Sequence, residues 1–543
     1  MVESSAKVAE SDSKSTAKME EGDAEPSATT TIITEGMAKV SFTGPTFYNP
    51  VQEFNRDLTV SVLREFVRTR HEYRAQQQQQ PADPAEPAKK KKKLAIENED
   101  GSIRILDALS ASGLRALRFS QEVPDVAFVL ANDFSENAVE TIKQNVKLNN
   151  VEDKVEAHFG DAIMTMMDHR GIDKRFHCVD LDPYGSASPF LDSAVQCVAD
   201  RGLLMVTCTD MAVLCGNTPE SCYNKYGAIP IRINACHELA LRMLLRTIDN
   251  AANRYTRYIE PILAISVDFY VRVFVRMHTG AAKAKESALK VGRVLSCSGC
   301  GSYETIPIIR KVVEGKGVRY MPALANSQLL DAEQKCVHCG HSVHEGGPIY
   351  TAPIHNEEFV RGILHRLKST PEEERLGTHG RLLGMLTVVS EELHDVPLYY
   401  AHDQLACVVK AVTPKLIDMR SALLNAGYRV SGSHCNARAV KTDAPPSFIW
   451  DICRFVAEKS KVNVEKFKDE QPGKAILSKA STAPVNFTLH PKAESQARSE
   501  QLVRFQDNKG KNWGPRAKAK GSVSSVKAGF QIDTSAGQQI TDN

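Results

Sequence analysis

The sequence predicts an α/β fold from residue 103 onward: a largely parallel, Rossmann-like sheet followed by a smaller C-terminal α+β domain. Short apolar segments alternate with amphipathic ones over residues 103–250, which is typical of βαβ units. Aspartates stand at the ends of four of the apolar segments, where parallel sheets bind their ligands. A cysteine quartet in the second region predicts a metal site.

The elements of the first region follow from their apolar spacing. Predicted strands lie near residues 103–106, 126–131, 155–159, 176–181 and 203–208. Predicted helices lie near residues 113–121, 136–148, 189–199 and 229–250. Ser135 is a suitable N-cap for the second of these helices, with Glu136 in its first turn. After Pro261, residues 262–276 look strand-like and are expected to close the sheet with antiparallel strands.

Composition and charge divide the remainder of the chain. The 543 residues carry 68 cations and 66 acids, so net charge alone does not indicate a nucleic-acid partner. Residues 1–36 read as a disordered acidic tail, 37–279 as the first domain, 280–460 as the second, and 461–543 as a polar, basic, disordered tail. A Gln- and Lys-rich insert over residues 75–101 interrupts the first domain. The tail's cations surround Trp513 and are Arg504, Lys509, Lys511, Arg516, Lys518, Lys520 and Lys527.

The second region combines helices with one predicted hairpin. Helices are expected near residues 356–368, 414–426 and 449–458, and a strand near 427–432. The order helix, strand and short extended return suggests a winged-helix arrangement. No apolar run approaches the roughly 18–20 residues of a membrane span, so no membrane contact is expected. The 13 cysteines mostly stand singly in apolar runs, which is the usage of a reducing compartment rather than of a disulfide scaffold.

Four features converge on the carboxyl edge of the predicted sheet. Asp107, Asp133 and Asp161 end or follow the first three strands, and Asp182 follows the fourth. Asp133 stands where nucleoside-binding sheets place an acid for ribose hydroxyls, and Asp161 is suited to accept from an adenine amino group. Each acid taken singly is better explained by a helix cap or a turn. Their occurrence at successive strand ends favours one shared ligand site.

The segment Asp180-Leu181-Asp182-Pro183-Tyr184-Gly185 is suited to hold a planar base by its amino group. The Asp182 carboxylate and a neighbouring backbone carbonyl, that of Asp182 or Pro183, can accept both hydrogens of an exocyclic NH2. Tyr184 can stack on the ring, and Pro183 restricts the backbone. The alternative is an ordinary Asp-Pro turn at the end of a strand.

The turn after the first strand, residues 108–113, consists of small residues and lets the backbone approach a ligand. It lacks the G-x-G-x-x-G fingerprint, and no G-x-x-x-x-G-K-[ST] segment stands before a helix. Dinucleotide and nucleoside triphosphate binding are therefore disfavoured. A site with acids for ribose and adenine but no phosphate cradle suits S-adenosylmethionine.

These motifs together resemble the tRNA (guanine-26-N2)-dimethyltransferase family over roughly residues 46–458. The matching stretches are Phe47-Tyr48-Asn49-Pro50, Asn55-Arg56-Asp57, Leu109-Ser110-Ala111-Ser112-Gly113-Leu114-Arg115, Ala131-Asn132-Asp133, Gly160-Asp161-Ala162, the Asp180-to-Gly185 segment, Lys225-Tyr226-Gly227 and Lys441-Thr442-Asp443-Ala444-Pro445.

The resemblance implies a class I S-adenosylmethionine-dependent methyltransferase domain with a tRNA-binding C-terminal domain. It implies a cofactor site formed by Arg56, Arg115, Asp133, Asp161 and Ala162, and a base site formed by Asp182, Tyr184 and Phe47. Their positions in the sequence add Asp107, at the end of the first strand, to the cofactor site, and Pro183, beside Asp182, to the base site.

Cys297-Ser298-Gly299-Cys300 and Cys336-Val337-His338-Cys339 form a C-x2-C pair of knuckles with 35 residues between them. A glycine follows each knuckle, as zinc ribbons require. A hairpin or small subdomain is expected to fill the gap. Four thiolates leave no open coordination position, so the expected zinc ion is structural.

The expected activity is one or two rounds of methyl transfer to the N2 atom of guanine 26, with the base flipped out of the tRNA. The alternatives are an amino-group methyltransferase acting on another base and a catalytically silent RNA-binding or RNA-chaperone protein. Asp182 would orient the amino group and take its proton as it becomes acidic. We expect a nuclear location, with the cytoplasm and the mitochondrion as further compartments, and no obligate protein partner.

Overall fold

The computed structural model describes residues 31–42, 48–79, 101–315 and 317–505. Its first half contains, in chain order, β1 (Thr31–Glu35), β2 (Ala38–Phe42), α1 (Glu53–Gln79), β3 (Ile103–Asp107), α2 (Leu114–Glu122), β4 (Val126–Asp133), α3 (Glu136–Leu148), β5 (Val155–Phe159), α4 (Ala162–Asp168), β6 (Phe176–Leu181), α5 (Leu191–Cys197), β7 (Val198–Cys208), α6 (Met211–Leu214), α7 (Pro219–Tyr226), α8 (Cys236–Asn253), β8 (Arg257–Val267) and β9 (Tyr270–Thr279).

Seven of these strands form the central sheet in the order β5-β4-β3-β6-β7-β9-β8. The first five are parallel, and β9 pairs antiparallel with both β7 and β8. All five predicted parallel strands and the antiparallel closure are thereby confirmed. From β3 the chain adds β4 and β5 on one side of the sheet and then returns to add β6 and β7 on the other side. Ligands of such sheets bind at this change of direction, so the crevice at the carboxyl ends of β3, β4 and β6 is the expected ligand site.

Helices cover both faces of the sheet. Leu239, Leu244 and Ile248 of α8 are buried on one face, while Phe54 and Leu63 of α1 are buried on the other. The predicted helix over residues 189–199 ends earlier, at Cys197, because β7 already begins at Val198. The predicted helix over residues 229–250 begins only at Cys236.

The second half contains, in chain order, α9 (Ala281–Glu286), β10 (Val291–Cys297), β11 (Tyr303–Pro307), β12 (Ile309–Glu314), β13 (Gly317–Pro322), β14 (Val343–Tyr350), α10 (Glu357–Ser369), α11 (His379–Glu391), β15 (Tyr400–Ala401), α12 (His402–Val408), α13 (Leu416–Asn425), β16 (Val430–Ser433), β17 (Asn436–Thr442), α14 (Pro446–Lys459), α15 (Pro472–Leu477) and α16 (Gln496–Ser499). The predicted helices correspond to α10, α13 and α14. After α13, β16 and β17 form an antiparallel pair, which matches the predicted helix, strand and return.

The predicted disordered tails are too long, because residues at the inner end of each tail are folded. Residues 31–35, inside the predicted acidic tail, form β1, and Glu35 is buried. Residues 461–505, inside the predicted basic tail, are ordered: Ile476 of α15 and Ala497 of α16 are fully buried. Burial of a few apolar side chains holds these segments in spite of their polar composition. The rest of both tails lies outside the described residues.

The low-complexity insert also begins later than predicted, because α1 continues through Gln79. Glutamine is a good helix former, so a run of it extends a helix that is already nucleated. Residues 80–100 lie outside the described residues. Among the described helices, none has the length and apolar character that a membrane crossing needs.

A buried charged cluster joins the two domains. Lys441 of β17 places Nζ 3.0 Å from Glu238 of α8 and 3.3 Å from Glu392, which follows α11. Arg242 donates to Glu238 as well, and the Nδ1 atom of His434 lies 2.6 Å from Glu392. All five side chains are buried. We name this set, Glu238, Arg242, Glu392, His434 and Lys441, the interdomain cluster.

Candidate active site and metal centre

The carboxyl edge of the sheet is held together by Asn132, a buried residue near the end of β4. Its amide group donates to the backbone carbonyls of Ala108 and Gly160, at 3.0 and 3.1 Å. The Thr165 hydroxyl donates to the Asn132 side-chain oxygen at 3.1 Å. One side chain therefore fixes the loops after β3 and β5 against β4, and so fixes the positions of the predicted acids.

Asp107 ends β3 and is almost completely buried. The Ser110 hydroxyl donates to it at 2.6 Å. Burial, reinforced by the negative charge of nearby Asp180, raises the pKa of Asp107 to about 7. Asp107 is therefore divided between its neutral and charged forms at physiological pH.

Asp133 ends β4 with a buried carboxylate that accepts two backbone hydrogen bonds. Ala111 N donates to Oδ2 at 2.9 Å and Ser135 N donates to Oδ1 at 3.0 Å. Each oxygen has a further lone pair for a ribose hydroxyl. The turn that brings Ala111 here passes through Gly113, whose φ of +81° favours glycine.

Asp161 is the N-cap of α4, which begins at Ala162. Its Oδ1 atom accepts from Ile163 N at 2.8 Å and from Met164 N at 3.0 Å. Asp161 is thus a helix cap, which is the alternative role that the sequence suggested for it. Both bonds use Oδ1, and the residue is exposed, so its second oxygen can still accept from an adenine amino group.

Asp182 follows β6, and Arg115 of α2 binds it. The Arg115 Nη2 atom donates to Asp182 Oδ2, and Nη1 stands 3.5 Å from Asp180 Oδ2. Burial acts to raise the pKa of Asp182, but the guanidinium groups of Arg115 and Arg272 outweigh it and hold the pKa below its usual value. The Asp182 side chain is 20% exposed, so a carboxylate is presented at the open edge of the sheet.

Arg272 and Asp180 belong to this site but were not predicted as site residues. Arg272 is fully buried on β9 and donates to Asp180 Oδ1 at 2.7 Å and to the Thr207 hydroxyl at 2.8 Å. Arg272, one of two arginines in the largely apolar segment Tyr270–Thr279, was the available signal, since a buried cation requires a partner. Its partner, 92 positions away, could not be read from the sequence.

Exposed aromatic rings flank the carboxylates. Tyr184, directly after Pro183, is 80% exposed, and Phe134, directly after Asp133, is 74% exposed. Pro183 is buried, which fixes the turn, and Gly185 donates to the Thr209 hydroxyl at 2.8 Å. Large exposed rings beside polar groups commonly serve as stacking surfaces for planar ligands. Phe134 was not predicted, and Phe47 lies outside the described residues.

Residues after β7 support the loop that carries Tyr184. The Ser186 hydroxyl donates to Tyr226 Oη at 2.8 Å, and Tyr226 donates to Asp210 Oδ1 at 2.7 Å. Lys225 lies 3.2 Å from the other Asp210 oxygen. These contacts connect α7 to the segment after Asp182.

The four cysteines of the predicted knuckles are buried and lie together. Their sulfur atoms are all within 4.8 Å of one another, with 3.3 Å between Cys297 and Cys339 and 3.7 Å between Cys300 and Cys336. Thiolates bound tetrahedrally at about 2.3 Å from zinc stand about 3.8 Å apart, so this quartet fits the ion. Among the described residues, the gap between the knuckles is filled by β11 and by the β12–β13 hairpin, as expected.

Comparisons with known proteins agree with this geometry. A sequence model described as N2,N2-dimethylguanosine tRNA methyltransferase matches residues 25–454. The chain belongs to this family. A tRNA (guanine(26)-N(2))-dimethyltransferase of Caenorhabditis elegans is 64% identical over 92% of this chain and 95% of its own length. A human protein of the same name is 42% identical over 90% of this chain and 78% of its own length.

A solved structure extends the likeness to the fold. The complex of Trm1 from Pyrococcus horikoshii with S-adenosyl-L-methionine is similar with a TM-score of 0.61 and 29% identity. The match covers 77% of this chain and 98% of that one. The fold is thus that of an S-adenosylmethionine-dependent methyltransferase, with a further domain that carries the cysteine quartet.

Within this dimethyltransferase chain, the Asn55-Arg56-Asp57 motif forms a buried ionic network. Arg56 donates to both Glu35 oxygens, and Arg118 of α2 stands 2.8 Å from Glu35 and 2.7 Å from Asp57. The Thr378 hydroxyl donates to Asp57 at 2.7 Å. These contacts explain the motif structurally, and the cofactor contact expected of Arg56 stays a prediction.

Proposed function

We propose that this protein transfers methyl groups from S-adenosylmethionine to the N2 atom of guanine 26 in tRNA, once or twice. The observation that carries the proposal is the Asp182 carboxylate, bound by Arg115 and presented beside Tyr184 in a chain of this family. The names of the relatives specify guanine 26 of tRNA as their substrate position.

Asp182 is the group that would hold the guanine amino group. Because its pKa is held below the usual value, it is a carboxylate at neutral pH and can only accept hydrogen bonds. An amino group that donates to Asp182 and to a nearby carbonyl has both hydrogens occupied. Its lone pair then points away from the ring plane, toward the cofactor edge of the sheet, which favours in-line attack.

The same low pKa makes Asp182 a weak base, so we expect it to pass on the proton that it takes from the amine. The methylated amine becomes strongly acidic only as the new bond forms, and its proton can then pass through Asp182 to water. Positioning and electrostatic stabilisation by a fixed carboxylate are therefore the larger contributions.

The cofactor would bind at the ends of β3, β4 and β5. S-adenosylmethionine supplies a methyl group on a positively charged sulfonium when it is bound. Asp133 would accept from its ribose hydroxyls, Asp161 and Ala162 would contact the adenine, and Phe134 would stack beside it. Asp107 and Arg115 would lie on the methionine side, where a carboxylate at Asp107 attracts the sulfonium.

The flipped base would lie against Tyr184, with Phe47 as a second aromatic contact. The Cys297, Cys300, Cys336 and Cys339 quartet would hold a structural zinc ion in a tRNA-binding domain over residues 280–460. The methyltransferase domain would span residues 37–279, extended by β1. A nuclear location stays a prediction; one relative, from Saccharomyces cerevisiae, carries "mitochondrial" in its name.

The test is methylation of an unmodified transcript of a tRNA with guanine at position 26. We expect mass spectrometry of its nucleosides to detect N2-methylguanosine first and N2,N2-dimethylguanosine later. A transcript with adenine at position 26 is the matched control and should stay unmodified. Methyl groups on adenine N6 or cytosine N4 would identify a different amino-group methyltransferase. Tight tRNA binding without any transfer by folded protein would favour the silent RNA-binding alternative.

A further inference from the structure

Two cysteines outside the zinc quartet stand close to each other beside the methyltransferase sheet. Cys215 directly follows α6, and Cys236 is the first residue of α8. Their sulfur atoms and one ring nitrogen of His237 all lie within 4.8 Å of one another. The reaction proposed above uses none of these residues.

This pair is accessible, unlike most thiols of the chain. Both side chains are partly exposed, whereas Cys178, Cys197 and Cys208 are fully buried. Cys215 and Cys236 line a cavity of about 470 Å³ whose lining also includes the exposed residues Arg232 and Gln404 and, from the quartet, the buried Cys297 and Cys300. A small polar reagent can therefore reach both sulfur atoms.

Position makes Cys236 the more reactive of the two. The N-terminal end of an α-helix stabilises a thiolate, and α8 has 18 residues. A hydrogen bond from the Cys215 thiol, against the opposing effect of burial, holds the pKa of Cys236 below its usual value. A reactive thiolate beside a second thiol is the arrangement of a redox-sensing pair.

We propose that Cys215 and Cys236 form a dithiol site that a peroxide oxidises to a disulfide. The Cys236 thiolate attacks one peroxide oxygen, which gives a sulfenic acid and releases hydroxide. The Cys215 thiol then attacks the sulfenic sulfur, forming the S–S bond and releasing water. In total, two thiols lose two electrons and two protons, and one peroxide becomes two water molecules.

Oxidation should reach the active site through Asp210. This residue lies just before α6 and binds Tyr226 and Lys225, and Tyr226 holds Ser186 on the loop after Asp182. Drawing the Cys215 sulfur to bonding distance from α8 displaces the end of α6. The disulfide should therefore lower methyl transfer severalfold, a consequence that rests on the proposed function.

The test uses the reduced, full-length protein treated with one equivalent of hydrogen peroxide, followed by alkylation and peptide mapping. We expect the Cys215 and Cys236 peptides to be joined, about 2 Da lighter than their sum. Cys407, which is exposed on α12, should remain an alkylated thiol. Cys215→Ser should leave Cys236 as a sulfenic acid that dimedone traps, and Cys407→Ser should leave the disulfide unchanged.

Other results would overturn the proposal. Alkylation of both Cys215 and Cys236 after treatment, with oxidation elsewhere, would show that the pair is not the reactive site. Zinc release before any Cys215–Cys236 link would show that the quartet reacts first. A second equivalent of metal on the reduced protein, lost in Cys215→Ser, would make this a metal site instead. If the disulfide forms but the rate of methyl transfer does not change, the dithiol site stands and only its effect on catalysis is disproved. The same holds if the disulfide forms in protein that has no transferase activity.

Discussion

Three carboxylates and two guanidinium groups share the carboxyl edge of the sheet. Asp180 is fully buried and pairs with both Arg115 and Arg272. Asp182 pairs with the other terminal nitrogen of Arg115. Among the described residues no cation forms an ion pair with Asp107, and the Ser110 hydroxyl donates to it at 2.6 Å. The arrangement separates the pKa values of the acids: Asp182 stays charged, while Asp107 titrates near neutrality. Groups with such different pKa values in one cleft are typical of catalytic sites.

The first prediction concerns Asp182. Asp182→Asn keeps the shape and can still accept a hydrogen bond from Arg115, but it removes the negative acceptor. We expect methyl transfer to fall by about 10²–10³ while the dissociation constant of S-adenosylmethionine changes little. Single-turnover transfer rates and calorimetric titration measure the two quantities. Asp153→Asn, at an exposed position, is the control and should leave the transfer rate unchanged.

The second prediction concerns the pH dependence of stability. The folded pKa of Asp107, about 7, lies above its ordinary value of 3.8, so the folded state binds this proton more tightly than the unfolded state does. The resulting stabilisation is complete below pH ~4 and is lost as the pH rises through about 7. At about 1.4 kcal/mol per pKa unit, the loss reaches at most about 4 kcal/mol.

Asp107→Asn should remove this dependence. We expect the free energy of unfolding of the variant to rise relative to that of the wild-type protein between pH 5 and pH 8. Denaturant titrations at these two pH values measure the difference. Parallel pH profiles for the two proteins would show that Asp107 is ionised throughout this range.

The sequence predicted which acids end the strands, but not which cations bind them. Asp182 and Arg115 were assigned to different ligands, and they lie 67 positions apart. Such pairings depend on the distance between β6 and α2 in space, which local patterns do not encode. Asp161 shows a second limit of prediction from sequence. A strand-end acid can cap a helix with one oxygen and contact a ligand with the other, so the sequence pattern does not separate the two roles.

Among the helices and strands, those with a regular spacing of apolar residues were predicted from the sequence. The buried strands β3 to β7 stood out as apolar segments, and α3 had a recognisable cap in Ser135. The segment Thr31–Glu35 was missed because, within the described part of the chain, it belongs to a two-stranded sheet with β2, next to a Ser- and Thr-rich region. Helix α1 was missed because polar residues such as Asn55, Asp57 and Glu65 share its buried positions with apolar ones, and because glutamines form its end.

The knuckles form an element whose stability should depend on a metal ion. At each knuckle the glycine amide donates to the backbone carbonyl of the first cysteine, at 3.1 Å from Gly301 and 2.8 Å from Gly340. Both glycines have φ near +73°, a conformation that other residues adopt with strain. The backbone is thus shaped to turn two thiolates of each knuckle toward one point.

The third prediction is that the protein binds about one zinc ion per chain through this quartet. Cys336→Ser should lower the zinc content and increase hydrogen exchange in β10 and β14 more than in β3 and β6. Cys407→Ser, at an exposed cysteine outside the quartet, is the control. Elemental analysis and hydrogen-exchange mass spectrometry provide the two readouts. A Cys336→Ser protein with unchanged zinc content and exchange would disprove the assignment.

At the scale of the whole molecule, the two domains are joined by buried charges as well as by apolar packing. The interdomain cluster consists of Glu238 and Arg242 from α8, Glu392 directly after α11, and His434 and Lys441 from the β16–β17 region. Lys441, the first residue of the Lys441-Thr442-Asp443-Ala444-Pro445 motif, therefore lies at the domain interface. The sequence could not show this, because both partners of Lys441 come from distant helical regions.

The fourth prediction follows from the position of Lys441 between two buried carboxylates. Lys441→Met keeps the length of the side chain but leaves Glu238 and Glu392 without their shared cation. Removing one partner of a buried ionic group destabilises a protein by about 3–5 kcal/mol, because the remaining charge stays desolvated. We expect a loss of this size in the free energy of unfolding, measured by denaturant titration at neutral pH.

Lys466→Met, at an exposed lysine, is the matched control and should change stability by no more than about 0.5 kcal/mol. A loss below about 1 kcal/mol for Lys441→Met, as for a surface ion pair, would show that Arg242 and His434 satisfy both carboxylates without Lys441.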